Sequence, residues 1–271
     1  MLSLSEQEFL AIKEYVKKIY GINLGSDKKS LVFSRLRTTI AELGMDSFSE
    51  YYSYLINDKT GKAANEFINR ISTNHTFFMR EREHFDFLTS KVLPEIEAKS
   101  RENDMRMWCA ASSSGEEAYT LQILLQEYFR EKSWNTQMIA SDVSTKVLNV
   151  AYNGIYSAES LQVMSRDWIR KYFEPYENDF YQVKDFVKKE ILFRKINLMD
   201  ENLDRMFAKK FHVIFCRNVM IYFDENTRDR LVSKLYNVIE PGGYLFIGHS
   251  ERVDNVKVPF KFILPAVYKK E

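Results

Sequence analysis

Cysteine is almost missing from this chain. Two thiols, Cys109 and Cys216, lie inside apolar runs, so buried, reduced thiols are expected rather than a disulfide. Glycine and proline are also sparse, at nine and five in 271 residues, and no low-complexity tract or internal repeat accompanies them. The G-x-G-x-x-G fingerprint is lacking, which counts against a dinucleotide-dependent dehydrogenase, and so is the G-x-x-x-x-G-K-[ST] of a P-loop. Charge of one sign is not in excess: 39 basic and 38 acidic residues leave a net charge of +1. Bulk charge therefore does not steer the chain to nucleic acid or membrane. No apolar run approaches a membrane span. The start, MLSLSEQEFLAIKEY, turns charged too soon for a signal-peptide core, and a cytoplasmic protein is expected. His75, His84, His212 and His249 show no metal-ligand spacing, and no metal is expected.

What is present is an ordinary globular balance, 45% apolar and 28% charged. Residues 1–72 read as helices only. SEQE at Ser5 to Glu8 is a capping box opening a helix through Ile19. KKSLVFSRLRTTIAELG places Leu36, Ile40 and Leu43 on one face. DSFSEYYSYLIND starts a third helix, capped by Asp46 or Ser47, and TGKAANEFINRIS forms a fourth. From about residue 105, short apolar strands alternate with long helices: MRMWCAA, TQMIASDV, FHVIFCRNVMIYF and, after a tight PGG turn, YLFIGHS are the strand segments. That alternation predicts a doubly wound, mostly parallel sheet, which binds ligands at the carboxyl ends of its strands. The stretch from Tyr172 to Lys195 reads instead as inserted short strands and turns.

Four segments carry polar groups to positions where such a sheet holds ligands. WCAASSSGEEAYT joins a strand to a helix. Glu116 and Glu117 at that helix start would repel a phosphate and suit a cation, or simply complement the helix dipole. In ASDVS, Asp142 either accepts ribose hydroxyls or caps the helix starting near Thr145, unless Ser144 takes the cap. FCRNVMIYF releases Arg217, Asn218 and Tyr222 after a strand, Arg217 being also a plausible salt-bridge partner and Tyr222 a plausible core aromatic. TNHTFFMRE sets Asn74, Thr76 and Arg80 around Phe77 and Phe78, which read as a docked apolar linker.

Together with KKSLVFSRLRTTIAELGMDSFSEYYSYL, ILFRKINL and GGYLFIGHSE, these segments resemble the chemotaxis receptor methyltransferases of the CheR family over nearly the whole chain. The resemblance implies a Rossmann-like α/β methyltransferase domain over 73–271. An all-helical receptor-recognition domain over 1–72 would precede it, and a small antiparallel β subdomain would be inserted at about 172–195. It implies S-adenosyl-L-methionine as cofactor and S-adenosyl-L-homocysteine as product. The activity implied is methylation of chemoreceptor glutamates. The matching cofactor positions are Asn74, Thr76, Arg80, Glu117, Asp142, Asn197, Leu198, Arg217 and Asn218, with Tyr222 and Arg80 as the catalytic positions. Lys28, Lys29, Arg35 and Arg37 are the expected contacts to the cytoplasmic helical bundle of the receptor. A monomer acting on neither nucleic acid nor membrane is expected. The competing readings are a methyltransferase for a small molecule or nucleic acid, and a non-catalytic module that senses the cofactor. The inserted turn, EPYENDFY, lacks the glycine common in the family, so tethering to a receptor tail is not expected. Ala111, Ser112 and Met79 likewise depart from the common family residues, with small size or similar volume retained.

Overall fold

The computed structural model describes residues 2–271. The chain divides into two compact units, Met1–Thr73 with Tyr222–Arg228, and Asn74–Ile221 with Asp229–Glu271.

The first unit holds α1 (Glu6–Tyr20), α2 (Lys29–Glu42), α3 (Phe48–Asn57) and α4 (Lys62–Ile71). The α1 capping box forms: the Ser5 hydroxyl accepts from Glu8 N–H while the Glu8 carboxylate accepts from Ser5 N–H, which satisfies donors that a helix start otherwise leaves free. Ser47, not Asp46, caps α3. Phe9, Ile12, Val16, Val32, Leu36, Ile40, Phe48, Tyr51 and Phe67 make the unit's core. Leu43, expected on the buried face, is 44% exposed, because α2 ends at Glu42 and the periodicity does not continue past it. Asp224 accepts from Thr227 N–H at 2.8 Å and pairs with Lys17 at 2.7 Å.

The second unit opens with α5 (Arg82–Phe87) and α6 (Leu93–Lys99), joined by a stretch of wider helical turn, Leu88–Val92. Then follow β1 (Met107–Ala110), α7 (Glu116–Tyr128), β2 (Met138–Asp142), α8 (Thr145–Asn153), β3 (Ile155–Ser157), α9 (Arg166–Tyr172), β4 (Phe173–Pro175), β5 (Phe180–Val183), α10 (Asp185–Lys188), β6 (Ile191–Lys195) and β7 (Phe211–Cys216). The helix α11 (Glu225–Val238), β8 (Ile239–Phe246), β9 (Phe260–Leu264) and β10 (Val267–Lys270) complete the chain. The large sheet has the order β6-β2-β1-β7-β8-β10-β9. Its first five strands are parallel, and β10 runs antiparallel to both neighbours. The chain winds outward from β1 to β2 and β6, then returns to the other side of β1 with β7. That reversal makes the gap between β1 and β7 the switch point where such sheets bind ligands.

Two boundaries differ from the sequence expectation. The small antiparallel sheet, β3-β5-β4, begins at Ile155 rather than near residue 172, and Ile191–Lys195 belongs to the large sheet beside β2. The expected PGG turn lies inside β8, with Gly242 at φ +82° and the β7–β8 register shifting opposite it. A Cβ on Gly243 would come within 2.8 Å of the His212 carbonyl, so the close strand approach requires glycine.

Candidate active site

The sheet register brings the functional segments to one edge. Ala110 on β1 pairs with Ser141 on one side and Cys216 on the other, and Asp142 pairs with Lys195. The loops after β1, β2, β6 and β7 therefore leave the sheet at about the same level.

The loop after β1 turns sharply. Ala111, Ser113 and Gly115 all have positive φ, at 60°, 49° and 99°. Such backbone costs an L-residue about 1–3 kcal/mol and persists where the surroundings over-determine it. Three contacts do so here. Ser113 N–H donates to Asp142 Oδ2 at 3.0 Å, Ser113 Oγ donates to the Asn74 carbonyl at 3.1 Å, and Tyr156 Oη donates to the Ser114 carbonyl at 2.6 Å. A Cβ on Gly115 would stand 2.8 Å from both Ala151 Cβ and Tyr156 Oη. The Ser112 hydroxyl is buried and has no partner among the described residues.

Asp142 closes this loop from the next strand. Its Oδ1 accepts from Ser144 N–H at 2.9 Å, and Ser144, not Asp142, caps α8 through Val147 N–H. Asp142 is 7% exposed. Burial pushes its carboxyl up, against the lowering effect of the Ser144, Ser113 and Val143 N–H groups. Along the same edge, Ile196 N–H donates to the Asp142 carbonyl, Asn197 Oδ1 accepts from Met199 N–H, and Leu198 is buried.

Arg217, directly after β7, is the electrostatic centre. Its guanidinium donates to Glu117 Oε2 at 2.7 Å, to Glu81 Oε2 at 3.0 Å and to the Arg80 carbonyl. It lies 5.3 Å from the Phe85 ring centroid and 5.9 Å from that of Phe215, within cation–π range. Two carboxylates about one guanidinium leave this trio with one net negative charge. Glu81 is reached because Met79 and Glu81 adopt positive φ, 60° and 56°. Burial raises the Glu81 carboxyl, but Arg217 and the Asn218 amide outweigh it and hold it below its ordinary value. Cys109 Sγ donates to the other oxygen of Glu117 at 3.3 Å, and burial pushes both Cys109 and Cys216 thiols up.

Glu251, which the sequence reading did not single out, fixes the turn after Arg217. Its two buried oxygens accept from the N–H groups of Asn218, Gly248, Met220 and Ile221 at 2.6–3.2 Å. Burial still pushes its carboxyl up against those four bonds. The available signal was an acid in the loop that follows an apolar strand, five residues after β8 ends at Phe246. Tyr222 follows Ile221 and closes the short Met220–Tyr222 turn.

Of the expected residues, the second unit brings Asn74, Arg80, Glu117, Asp142, Asn197, Leu198, Arg217 and Asn218 to this edge or its loops, and Thr76 is half-buried in the connector. Arg80 Nη1 donates to the His75 carbonyl at 2.9 Å. Tyr222 belongs to the first unit, where its carbonyl accepts from Asn23 N–H. The four basic positions expected to contact a partner lie in that unit too. Arg35 donates to the carbonyls of Ile71 and Ser72, the open end of α4. Lys28 pairs with Asp27 and Lys29 with Glu6, while Arg37 is exposed.

Residues 74–268 match the family described as "CheR methyltransferase, SAM binding domain", and residues 7–72 match "CheR methyltransferase, all-alpha domain". The chain belongs to the CheR methyltransferase family. It is 40% identical to a chemotaxis protein methyltransferase of Borreliella burgdorferi, over 99% of this chain and 96% of that protein. It is 33% identical to one of Salmonella typhimurium, over 98% and 91%, and 37% identical to a probable one of Rhizobium etli, over 86% and 88%. This CheR-family protein is an S-adenosylmethionine-dependent methyltransferase. Its donor set fits that cofactor. The net negative trio suits a ligand carrying an ammonium and a sulfonium, Glu116 and Glu117 at the α7 start disfavour a phosphate, and the buried Ser112 hydroxyl has no partner among the described residues. No helix among the described residues is long and apolar enough to cross a membrane.

Proposed function

We propose that this enzyme transfers the methyl group of S-adenosyl-L-methionine to glutamate side-chain carboxylates of chemoreceptors. The products are glutamate methyl esters and S-adenosyl-L-homocysteine. One observation carries this reading: the four carboxylates that brace the sheet edge, Glu81, Glu117, Asp142 and Glu251, are already engaged. Glu81 and Glu117 hold Arg217, Asp142 holds two loop N–H groups, and Glu251 holds four. None of these four is free to act as a general base, and Glu116, buried at the start of α7, accepts from the Ser114 hydroxyl at 2.7 Å. A substrate that must first lose a proton is poorly served, whereas a glutamate, with an ordinary pKa of about 4.3, arrives as the anion. When bound, the sulfonium of the cofactor supplies an electrophilic methyl group. The protein then has to place, orient and exclude water.

In this reading Arg80 takes the methionine carboxylate of the cofactor by a charge-assisted bond. Glu117 takes the α-ammonium and Asp142 the ribose hydroxyls. Asn197 and Leu198 border the adenine, while Asn74, Thr76, Arg217 and Asn218 complete the cradle. Tyr222 orients the sulfonium. Lys28, Lys29, Arg35 and Arg37 present the basic surface to a helical, acidic receptor segment in the cytoplasm. The printed names of the relatives, chemotaxis protein methyltransferases of Borreliella burgdorferi and Salmonella typhimurium, support the receptor assignment. The test is incubation with radiolabelled methyl donor and candidate receptor cytoplasmic domains. Base-labile label on receptor glutamates is expected, and base-stable label, or label on RNA or a small molecule instead, overturns the reading.

A further inference from the structure

Three side chains of the second unit converge beside Arg217, and two of them, His84 and His249, have no role in the reaction described above. Glu81, His84 and His249 each offer a ligand atom, and those atoms all lie within 4.8 Å of one another. Glu81 and His84 flank the first turn of α5, while His249 follows β8 some 165 residues later, so no spacing in the sequence links them.

His84 is the unusual member. Its ring is 1% exposed, yet neither Nδ1 nor Nε2 has a hydrogen-bond partner among the described residues. Leaving a buried polar group unsatisfied costs about 1–3 kcal/mol, and such a group calls for a ligand or a function. Its Nδ1 is 3.5 Å from Glu81 Oε2, outside hydrogen-bonding range. The same separation matches the ligand–ligand edge of a tetrahedral ion with bonds of about 2.0–2.2 Å. The His249 ring is exposed and lies edge-on to that of His84, with centroids 4.8 Å apart. It offers a way in from solvent and room to close on an ion by rotation. The Glu81 carboxylate is held in place by the Asn218 amide at 3.1 Å and Arg217 at 3.0 Å, as carboxylates bound to metals are held by outer hydrogen bonds.

We infer that Glu81, His84 and His249 form a site for a borderline transition-metal ion such as Zn2+ or Co2+, with water completing the shell. Two imidazoles and one carboxylate are ligands for ions of that class rather than for Mg2+ or Ca2+. The nearby Arg217 charge works against a dication, so the site is reversible rather than a structural closed one.

The test uses the full chain, stripped with chelator and titrated with ZnCl2 by calorimetry and with CoCl2 by visible absorption. One saturable equivalent is expected, with a cobalt spectrum of nitrogen and oxygen ligation lacking the intense near-ultraviolet band of a thiolate. His249→Ala, at an exposed position, is expected to weaken binding at least about tenfold, or 1.4 kcal/mol, and His75→Ala to leave it unchanged. No saturable binding, a thiolate band, or an unaltered isotherm in His249→Ala overturns the site.

Discussion

Glu117 Oε2 and Arg217 Nη1 meet at 2.7 Å, and the Arg217 side chain is only 1% exposed. The acid that opens α7 is thereby tied to the residue that follows β7, across the switch point of the sheet. Glu81 shares the same guanidinium. The site's negative character comes from two acids that one buried cation does not fully neutralise.

Removing the cation should therefore be severe. Arg217→Met leaves Glu81 and Glu117 facing one another without a counter-ion. Breaking such a buried pair costs about 3–5 kcal/mol. Denaturant unfolding should show that loss. Glu117→Gln keeps Arg217 paired with Glu81 and should lose much less stability, yet bind S-adenosyl-L-homocysteine at least about tenfold more weakly by calorimetry. Equal affinity in Glu117→Gln would remove the ammonium role.

Asp142→Asn tests the ribose role without emptying the position. The amide oxygen can still accept one of the Ser113 and Ser144 N–H groups, but its NH2 end cannot accept the other. A destabilisation of about 1–2 kcal/mol is expected from that lost acceptor, measured by thermal melts. Affinity for S-adenosyl-L-homocysteine should drop beyond what the melts explain. An unchanged affinity would leave Asp142 as a loop brace only.

Much of this was legible beforehand because it depends on local pattern. The strand–helix alternation and the capping box at Ser5 and Glu8 follow from residues close in sequence, whereas the cap of α8 stood open between Asp142 and Ser144 until the structure gave it to Ser144. Arg217 as an ion-pair partner was equally open to reading from its place after an apolar strand. What was hidden depends on distant juxtaposition. Nothing near Arg35 announces that it closes the end of α4, 36 residues away. Nothing near Glu251 announces four N–H donors from two loops. The strand Ile191–Lys195 is an edge strand with only Ile191 fully buried, so its pattern did not separate it from the neighbouring small sheet.

Charge reversal of the first unit should separate partner contact from donor binding. Lys28→Glu with Arg37→Glu changes two exposed side chains, whereas changing Arg35 would also open α4. The double variant is expected to keep S-adenosyl-L-homocysteine affinity and to raise the KM for receptor fragments. The effect should shrink with added salt, since exposed charges are screened over about 10 Å at 0.1 M. Unaltered methylation kinetics would place the contact elsewhere.

Tyr222→Phe should leave cofactor affinity intact and lower kcat. The phenol, with an ordinary pKa of about 10, is not proposed as a base. Its hydroxyl is proposed to orient the reacting centre, so removal should act on turnover and not on binding. A parallel loss of S-adenosyl-L-homocysteine affinity would reassign Tyr222 to the binding cradle.

Acid sensitivity should trace in part to His84. Burial, then the Arg217 charge, pushes this imidazole down to about 4 in the folded protein. Glu81 and Glu83 act the other way and His249 adds to the lowering. In the unfolded chain the ring titrates near its ordinary value of about 6.5. Between those values the unfolded chain binds a proton that the folded one refuses, so stability falls as pH drops through this window. At pH 5 the cost is about 2 kcal/mol relative to pH 8. His84→Asn cannot titrate. Whatever it loses at neutral pH, its melting temperature should decline less steeply than the parent's from pH 7 to pH 5, measured in the presence of chelator. Parallel slopes would mean that the buried ring is protonated as easily in the folded protein as in the unfolded one.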